Sequence, residues 1–430
     1  MKGNFQIIVI VVFIALAVIG VLVFSGAIPI GKSSGGGSLG TVVLWGTEDK
    51  STMTPLLEKF NNTNPTLVVK YEQKSPESFD QDLLEALAEG TGPDLILLPD
   101  GLAYHYANKI RPIPYASYPL TLFKNNFAGA GEVFLTSRGI LAFPLSINPL
   151  LMYYNRSIFD ASKVVYPPSF WDEFAKLVPA IIVKDDANKI IRSAVALGHF
   201  SNIIHAKDIV SALFMQGGNP IVAEKGGVFS SSLSTTNKKY DLGAILKFYT
   251  DFADPNQDVY SWNKSFRNSD DAFSAENLAI YFGYADELVT LISRNPNQNL
   301  AVAPFPQIRN ASFKLTGAHV TGIAILASSK NFTGAFTAAS LMAKGDFANK
   351  YALATGVAPA RRDLLARKQT DAYSPIFYDS ALYARSWLDP SSAGTDNIFS
   401  NMIEGVLSNS MNVESAITEA SGKLDLLLKK

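Results

Sequence analysis

Near the N-terminal end of the chain, short apolar segments alternate with amphipathic ones, and this alternation constrains the fold more than any other feature. Residues 41–45, 67–71 and 94–98 have the length and apolar character of buried strands. Residues 52–61 and 78–88 carry apolar side chains at helical spacing. Strands and helices that alternate in this way are typical of a parallel sheet flanked by helices. The sequence therefore predicts an α/β fold.

Acidic side chains follow two of these predicted strands. Glu48 and Asp49 come just after the first strand, and Asp100 comes just after the third. In open parallel sheets, ligands bind outside the carboxyl ends of the strands. We therefore expect a binding site at this edge of the sheet, with these three carboxylates among its contacts.

An apolar run precedes the α/β segment. Residues 7–24 contain one glycine among apolar side chains, and no charged residue stands between Lys2 and Lys32. A helix that crosses a bilayer needs about 20 apolar residues, so this run is just long enough. We predict an uncleaved membrane anchor over residues 1–30 and a flexible Gly/Ser tether over residues 31–40. A cleaved signal peptide is the alternative, and both interpretations place the body of the protein outside the cytoplasm.

Charge balance and the absence of cysteine exclude several classes of function. The chain has 37 Lys and Arg against 38 Asp and Glu, and this net charge of −1 does not fit a nucleic-acid-binding protein that relies on bulk positive charge. There is no cysteine, and the four histidines are scattered without the spacing of metal ligands. We therefore predict no nucleic-acid partner, no metal and no cofactor.

A polar stretch with two prolines separates two further apolar segments. Residues 140–143 and 150–154 are predicted strands, and the stretch between them contains Pro144, Asn148 and Pro149. Such a stretch would suit a crossover of the chain between two lobes. Helical segments predominate further along the chain, separated by turn-rich connections.

Several short motifs occur in a recognisable order. They are Leu44-Trp45-Gly46, residues 89–94 with a Gly-x-Pro-Asp type ending, residues 144–156 with a proline hinge and Tyr153-Tyr154-Asn155, residues 166–174 with a Pro-x-x-Trp-x-Glu helix start, residues 273–283, Val302-Ala-Pro304 and residues 355–359. In number, order and spacing they resemble the family 1 extracellular solute-binding proteins of ABC transporters, whose best-known ligands are sugars. The resemblance covers nearly the whole body of the chain.

The resemblance implies a two-lobed α/β fold of the periplasmic-binding-protein type, class II, in which each lobe is a mainly parallel sheet flanked by helices. The chain would cross between the lobes at least twice, so the lobes could close on a ligand. The expected divisions are the anchor (1–30), the tether (31–40), lobe one (41–146), lobe two (147–298), a return to lobe one (299–335) and C-terminal helices that belong mainly to lobe two (336–430).

Candidate ligand contacts follow from the resemblance and from the chemistry of sugars. A sugar is held by side chains that exchange hydrogen bonds with its hydroxyls and by flat aromatic rings. The candidates at the edges of the expected cleft are Trp45, Glu48, Asp49, Asp100, Asn148, Tyr153, Trp262, Tyr284, His319, Arg361 and Trp387. Trp262 is the aromatic residue that we favour, because it lies in a polar stretch where an exposed ring would need a function.

The resemblance further implies a binding protein and not an enzyme. It would capture a mono- or oligosaccharide as a monomer outside the cytoplasm and deliver it to the permease subunits of an ABC importer. The lipidated cysteine usual in the family is absent, so attachment to the cell membrane would be through the N-terminal helix. The alternatives are a surface sensor, a binder of a polyamine or of ferric iron through Tyr153 and Tyr154, and a carbohydrate-active enzyme that uses Glu48 and Asp100.

Overall fold

The computed structural model describes residues 38–233 and 241–429. Its strands are β1 Gly40–Gly46, β2 Leu67–Gln73, β3 Leu95–Pro99, β4 Leu135–Thr136, β5 Gly139–Ile140, β6 Ala142–Asn155, β7 Val183–Lys184, β8 Ile190–Val195, β9 Val222–Lys225, β10 Val228–Ser231, β11 Leu278–Tyr284, β12 Leu300–Pro304, β13 Thr316–Ile325, β14 Ala358–Pro359 and β15 Ala384–Arg385. Its α-helices are α1 Lys50–Thr63, α2 Phe79–Glu89, α3 Ala103–Tyr106, α4 Leu120–Asn126, α5 Arg156–Ala161, α6 Phe174–Ile181, α7 Ala206–Gln216, α8 Leu242–Asp251, α9 Ser269–Ser274, α10 Leu288–Arg294, α11 Phe332–Met342, α12 Gly345–Ala354, α13 Arg362–Leu365, α14 Ser374–Tyr383, α15 Ser392–Leu407 and α16 Val413–Leu427.

The N-terminal segment falls largely outside this description. The predicted anchor, residues 1–30, and most of the predicted tether precede the first described residue. Within the ranges that the structure describes, no helix is both long enough and apolar enough to cross a membrane.

The predicted alternation of strands and helices at the start of the body is confirmed. β1 pairs in parallel with β2 and with β3, and α1 and α2 connect the three strands. α1 buries Met53, Leu57 and Phe60, whose spacing places them on one face of the helix. The carboxyl ends of β1 and β3 therefore meet at one edge of the sheet, where Glu48 and Asp100 follow them.

β6 is a single strand of 14 residues, where the sequence predicted two strands and a crossover. Its first part, up to Pro149, pairs with β13, and its last part, from Leu150, pairs with β11 and β12. The register shifts between Thr321 and Gly322, opposite Pro144. An irregularity of this kind accommodates a residue that has no N–H for the ladder. The chain therefore passes from one half of the sheet to the other without leaving the strand conformation.

The sheet is mixed, and the implied mainly parallel arrangement is wrong. The strand order is β2-β1-β3-β13-β6-β11-β8-β7, with β13 antiparallel to β3 and β6, and β6 antiparallel to β11 and β12. β6 carries the chain from the first half of the sheet to the second, and β13 carries it back, so these neighbours must run in opposite directions. We term the half with β1–β3 lobe one and the half with β7, β8, β11 and β12 lobe two.

Helices cover both halves. α11 and α12 pack on lobe one, where Phe347 of α12 meets Phe60 of α1 edge to face at 5.8 Å between ring centroids. α15 packs against α7 and α8 of lobe two, and α16 packs against α8. β12, at the start of the predicted return to lobe one, pairs with the lobe-two part of β6. The residue boundaries of the two lobes otherwise remain a prediction.

Candidate ligand-binding cleft

Three cavities lie where the lobes meet, and they form one cleft. We term them the polar cavity, the inner pocket and the outer cavity, and their volumes are about 430, 80 and 580 Å³. His319 lines both the polar cavity and the inner pocket. Met215, Arg385, Ser386 and Trp387 line both the inner pocket and the outer cavity. The inner pocket is therefore the narrow part between two wider ones.

The polar cavity presents mainly hydrogen-bonding groups. They belong to Glu48, Asp49, Thr52, Ser146, Asn148, Asp286, Thr321, Tyr351 and Thr355. The Tyr351 hydroxyl donates to Glu48 Oε1 over 2.8 Å, and the Asp286 N–H donates to Asn148 Oδ1 over 3.3 Å. Burial and the neighbouring Glu287 raise the pKa of Asp286. The cavity is rich in oxygen acceptors, which suits a ligand with several hydroxyl donors.

Asp100 and His319 meet at the wall of the inner pocket. Asp100 is buried, and its carboxylate accepts hydrogen bonds from the Gly101 N–H and the Ser386 hydroxyl. His319 Nδ1 lies 3.4 Å from Asp100 Oδ1, while 52 % of the His319 side chain remains exposed to the cleft. The surrounding protein opposes a charge on the ring, but Asp100 outweighs this effect and raises the pKa of His319 to about 9. His319 is therefore a cation at neutral pH.

Tyr284 packs between two imidazole rings at the end of β11. Its ring centroid lies 4.9 Å from that of His205 and 4.5 Å from that of His319. His205 Nε2 lies 2.8 Å from Glu287 Oε1, and His205 Nδ1 lies 3.6 Å from Asp208 Oδ2. Burial opposes the charge, but the two carboxylates raise the pKa of His205 to about 9. His205 immediately precedes α7, so this contact fixes the start of α7 against β11.

Lys207 and Asp208, in the first turn of α7, line the inner pocket with opposite charges. Lys207 Nζ lies 3.1 Å from Asp389 Oδ2 and 2.7 Å from Asp396 Oδ1. Burial opposes ionisation of Asp208, but the interaction with His205 holds the pKa of Asp208 below its usual value. The charges of α7 at this pocket are thus already paired within the protein.

The outer cavity has an aromatic wall. Phe229, Phe313 and Trp387 line it, and Phe313 is 50 % exposed. Phe229 belongs to the hairpin of β9 and β10, which separates the outer cavity from a further cavity of about 1000 Å³. Glu224 of the same hairpin accepts a hydrogen bond from the Ser137 N–H over 3.2 Å. An aromatic wall with a few polar groups is the usual lining of a small-molecule site.

Arg385 stands at the junction of the inner pocket and the outer cavity. Its Nη1 donates to the Ala384 carbonyl over 2.8 Å, and no carboxylate of the described residues lies within ion-pair distance of its guanidinium. The guanidinium packs over Gly129, where a Cβ would lie 2.0 Å from Nη1. The absence of a side chain at Gly129 therefore makes room for a cation that faces the cleft.

Seven of the eleven predicted contacts line this cleft. They are Glu48, Asp49 and Asn148 in the polar cavity, His319 between the polar cavity and the inner pocket, Asp100 and Tyr284 in the inner pocket, and Trp387 between the inner pocket and the outer cavity. Their contact with a ligand remains a prediction.

Trp262 and Tyr153 line none of the three cavities. Trp262 is 1 % exposed, so the expectation of an exposed ring is wrong. Its Nε1–H donates to Asn202 Oδ1 over 3.0 Å, and Phe266 packs against it in a T-shaped arrangement with 5.0 Å between ring centroids. Tyr153 is fully buried, and its hydroxyl donates to the Tyr284 carbonyl over 2.6 Å. Both side chains are held by partners inside lobe two.

Trp45 and Arg361 also lie outside the three cavities. Trp45 is buried, and Lys74 Nζ sits 3.7 Å from its ring centroid. Arg361 Nε lies 2.7 Å from Asp363 Oδ1. The Trp45 ring and the Arg361 guanidinium thus contact neighbours in lobe one.

The adjacent tyrosines considered for ferric iron do not share a site. Neighbouring residues on β6 face opposite sides of the sheet, and the ring of Tyr154 packs against Phe159 at 4.9 Å. Burial raises the pKa of Tyr153 well above its usual value, which disfavours a tyrosinate. Over residues 38–233 and 241–429, no group of three or more His, Asp or Glu is placed to hold a metal ion.

Sequence reasoning missed several residues of the cleft. They are Lys207, Asp208, Ser211, Phe229, Phe313 and Arg385. The first three occupy one side of α7, and their spacing of one and four residues could have identified a polar face. The Gly-Gly pair before Phe229 is a hairpin signal that could have placed Phe229 in a β-hairpin.

The fold and the cleft define a two-lobed solute-binding protein. The chain belongs to the bacterial extracellular solute-binding protein family, whose model matches residues 45–358. A comparison with curated proteins finds no significant match.

Solved structures with the same fold cover nearly the whole chain. A cyclo/maltodextrin-binding protein complexed with maltotetraose has a TM-score of 0.74 at 16% identity, over 93% of this chain and 99% of its own. The cyclic α-maltosyl-1,6-maltose binding protein of Arthrobacter globiformis has a TM-score of 0.73 at 14% identity, over 91% and 99%. UgpB of Mycobacterium tuberculosis, in complex with glycerophosphocholine, has a TM-score of 0.67 at 17% identity, over 91% and 98%. At these identities the likeness shows the fold.

Proposed function

We propose that the protein captures a carbohydrate in this cleft, leaves it chemically unchanged and delivers it to the permease of an ABC importer. The observation that carries the proposal is the combination of an aromatic outer cavity with a polar cavity, joined through the inner pocket. A sugar presents C–H faces that pack on aromatic rings and hydroxyls that donate and accept hydrogen bonds. Family membership and the sugar complexes among the structural relatives support the same conclusion.

Capture would work by a shift of population between open and closed forms. Asp100 follows a strand of lobe one, and Tyr284 ends a strand of lobe two, yet both line the inner pocket. A ligand that contacts both lobes at once has a higher affinity for the closed form and so favours it. The closed form is the one that a permease would recognise.

The test is a thermal-shift screen of the purified full-length protein in detergent. The panel contains malto-, cello- and xylo-oligosaccharides, glycerophosphocholine, a polyamine and ferric citrate. A ligand at a hundredfold excess over its Kd stabilises the folded protein by about 2.7 kcal/mol, which moves the midpoint by several degrees. We expect one class of oligosaccharide to produce this shift.

Two variants locate the site. Trp387→Ala removes an aromatic wall of the outer cavity and should abolish most of the shift. Tyr166→Ala is the matched control, because that ring is 79 % exposed and lines none of the three cavities. A shift with glycerophosphocholine, the polyamine or iron alone would keep solute capture and reject carbohydrate as the ligand. An equal loss in both variants would reject the cleft as the site.

We also propose that residues 1–30 anchor the protein in the cell membrane with its body outside the cytoplasm. The apolar run and the lack of charge between Lys2 and Lys32 support this arrangement. After expression of the full chain, the protein should remain with membranes during alkaline carbonate extraction and keep its N-terminal residues. Release of a shortened protein would show cleavage of a signal peptide.

A further inference from the structure

Among the described residues, the buried hydroxyl of Ser211 has no hydrogen-bond partner. The residue is 1 % exposed, it lines the inner pocket, and no hydrogen-bond partner lies near its Oγ among the described residues. A buried serine or threonine in a helix commonly bonds to the carbonyl one turn earlier, as Thr250 does to Leu246. An unmade hydrogen bond at a buried hydroxyl costs free energy. A ligand group that reaches the Ser211 hydroxyl from the inner pocket would therefore displace no hydrogen bond that the described residues make to it.

The charged neighbours of Ser211 are already engaged. Asp208 interacts with His205, and Lys207 pairs with Asp389. A charged ligand group would have to compete with these ion pairs, and breaking a buried pair is costly. A neutral group that donates or accepts one hydrogen bond can bind to Ser211 and leave both pairs intact. The chemistry of the pocket therefore favours a neutral hydroxyl.

The inner pocket is large enough for one substituent of a ligand, but it is too small for a whole ligand. Its volume of about 80 Å³ is far below the roughly 300–1,000 Å³ of cavities that hold complete ligands. The outer cavity is large enough for sugar rings, and Met215 lines both spaces. A hydroxyl fixed directly to a ring projects by one bond, whereas a hydroxymethyl group projects one carbon further. Its CH₂ can contact Met215 while its hydroxyl reaches deeper.

Resting on the proposed function, we propose that the inner pocket receives the exocyclic hydroxymethyl group of a sugar ring in the outer cavity, with Ser211 as its hydrogen-bond partner. The pocket thereby selects sugars built from hexoses over those built from pentoses. Ser211 is a specificity-determining contact in lobe two.

Gly101 of lobe one allows a second, independent test of the same pocket. It lines the inner pocket, and a Cβ added to it would meet no atom within 4 Å. Gly101→Ala therefore places a methyl group at the pocket without a clash in the protein. Ser211→Ala removes the hydroxyl without adding volume.

The experiment compares matched ligands by isothermal titration calorimetry on the full-length protein. Cellotriose and xylotriose differ only in the hydroxymethyl groups, and maltotriose is compared with an analogue whose hydroxymethyl groups are methyl. We expect the member with hydroxymethyl groups to bind about ten to a hundred times more tightly in at least one pair. Ser211→Ala should weaken the binding of the sugar with hydroxymethyl groups and leave the affinity for the other sugar of the pair unchanged. Gly101→Ala should also weaken the binding of the sugar with hydroxymethyl groups, because the added methyl group occupies space in the inner pocket.

The controls are Ser293→Ala and Gly422→Ala. Ser293 is an exposed serine of α10 that donates to the Thr290 carbonyl, and a Cβ at Gly422 in α16 also meets no atom within 4 Å. Thermal midpoints establish that all variants fold.

Three results would overturn the inference. Equal affinities within each pair, or an equal loss for both members in Ser211→Ala, would reject selection by the inner pocket and leave the proposed function standing. Binding of none of these sugars would overturn the proposed function and the inference with it.

Discussion

His319 Nδ1 lies 3.4 Å from Oδ1 of Asp100, and this pair joins a strand that crosses between the lobes to a strand end of lobe one. The contact depends on the turn that follows β3. Thr321 of β13 pairs with Pro99, the last residue of β3, so His319 lies beyond the end of β3, where the chain turns at Asp100. The lobe crossover and the ligand-binding cleft are therefore coupled through one ion pair.

Ligand affinity should depend on the protonation of His319. Its pKa is raised to about 9, so the ring is a cation at neutral pH and loses its proton as the pH rises through 9. We expect affinity to fall between pH 7 and pH 10 in the unmodified protein, because a donor to the ligand and the partner of Asp100 is lost. Calorimetry across this range measures the effect. His319→Gln should bind more weakly and without this step, and persistence of the step in that variant would assign it to another group.

Folding stability should depend on His205 over a defined range of pH. Its pKa is about 9 in the folded protein, against about 6.5 in an unfolded chain. Since folding raises the pKa, the stabilisation is complete below pH 6.5 and is lost as the pH rises to 9. The difference in free energy of unfolding between the unmodified protein and His205→Gln should be largest near pH 6 and small above pH 9.

Urea denaturation at several pH values tests this dependence on His205. His105→Gln is the control, because that half-exposed ring pairs with Asp80 at the surface and should contribute little. A pH-independent difference between the unmodified protein and His205→Gln would show that packing, and not charge, explains the role of His205.

Substitution of Trp262 should mainly lower the stability of the protein, whereas substitution of Trp387 should mainly lower its affinity for the ligand. Trp262 is fully buried and bonds to Asn202, so Trp262→Ala should cost about 3–5 kcal/mol of unfolding free energy. Where the variant is still folded, it should keep the ligand affinity of the unmodified protein. Trp387→Ala should show the reverse pattern, since the ring is only partly buried and lines the outer cavity. Urea denaturation and calorimetry on both variants measure the two quantities, and loss of affinity in both would place Trp262 in the ligand site.

Gly129 should influence binding through Arg385. A Cβ at position 129 would lie 2.0 Å from Arg385 Nη1 and 2.4 Å from its Cζ, so Gly129→Ala forces the end of this flexible side chain to move. We expect weaker binding in Gly129→Ala with little change in stability. In an Arg385→Ala background the same substitution should have no further effect on binding. A double-mutant cycle measures this coupling, and additive effects would show that Gly129 acts on the backbone instead.

Local patterns in the sequence predicted the parts of the molecule that depend on near neighbours in the chain. β1, α1 and β3 were recognisable from apolar spacing, and the rule for strand ends placed Glu48 and Asp100 in the cleft. The exposure of Trp262 was predicted wrongly, because its partner Asn202 lies 60 residues away along the chain. The polar residues next to Trp262 in the sequence did not indicate that the folded chain encloses its ring.

The connection between the lobes also could not be predicted from local sequence patterns. Pro144 and Pro149 break the apolar pattern, so the sequence indicated two strands, whereas pairing with β13 keeps β6 continuous. Ser211 of α7 was missed for a related reason. The face of a helix that meets a cleft depends on how two distant segments pack together, and hydrophobic spacing records only the side that faces the core.

The return of the chain through β13 has a consequence for biosynthesis. Lobe one needs β13 beside β3, and β13 ends at Ile325, after every strand of lobe two has been made. A growing chain that stops before β13 therefore lacks a central strand of lobe one, and contacts between segments so distant in sequence form slowly. Folding of lobe one is therefore postponed until three quarters of the polypeptide exist, because Ile325 is the last residue of β13 in a chain of 430 residues.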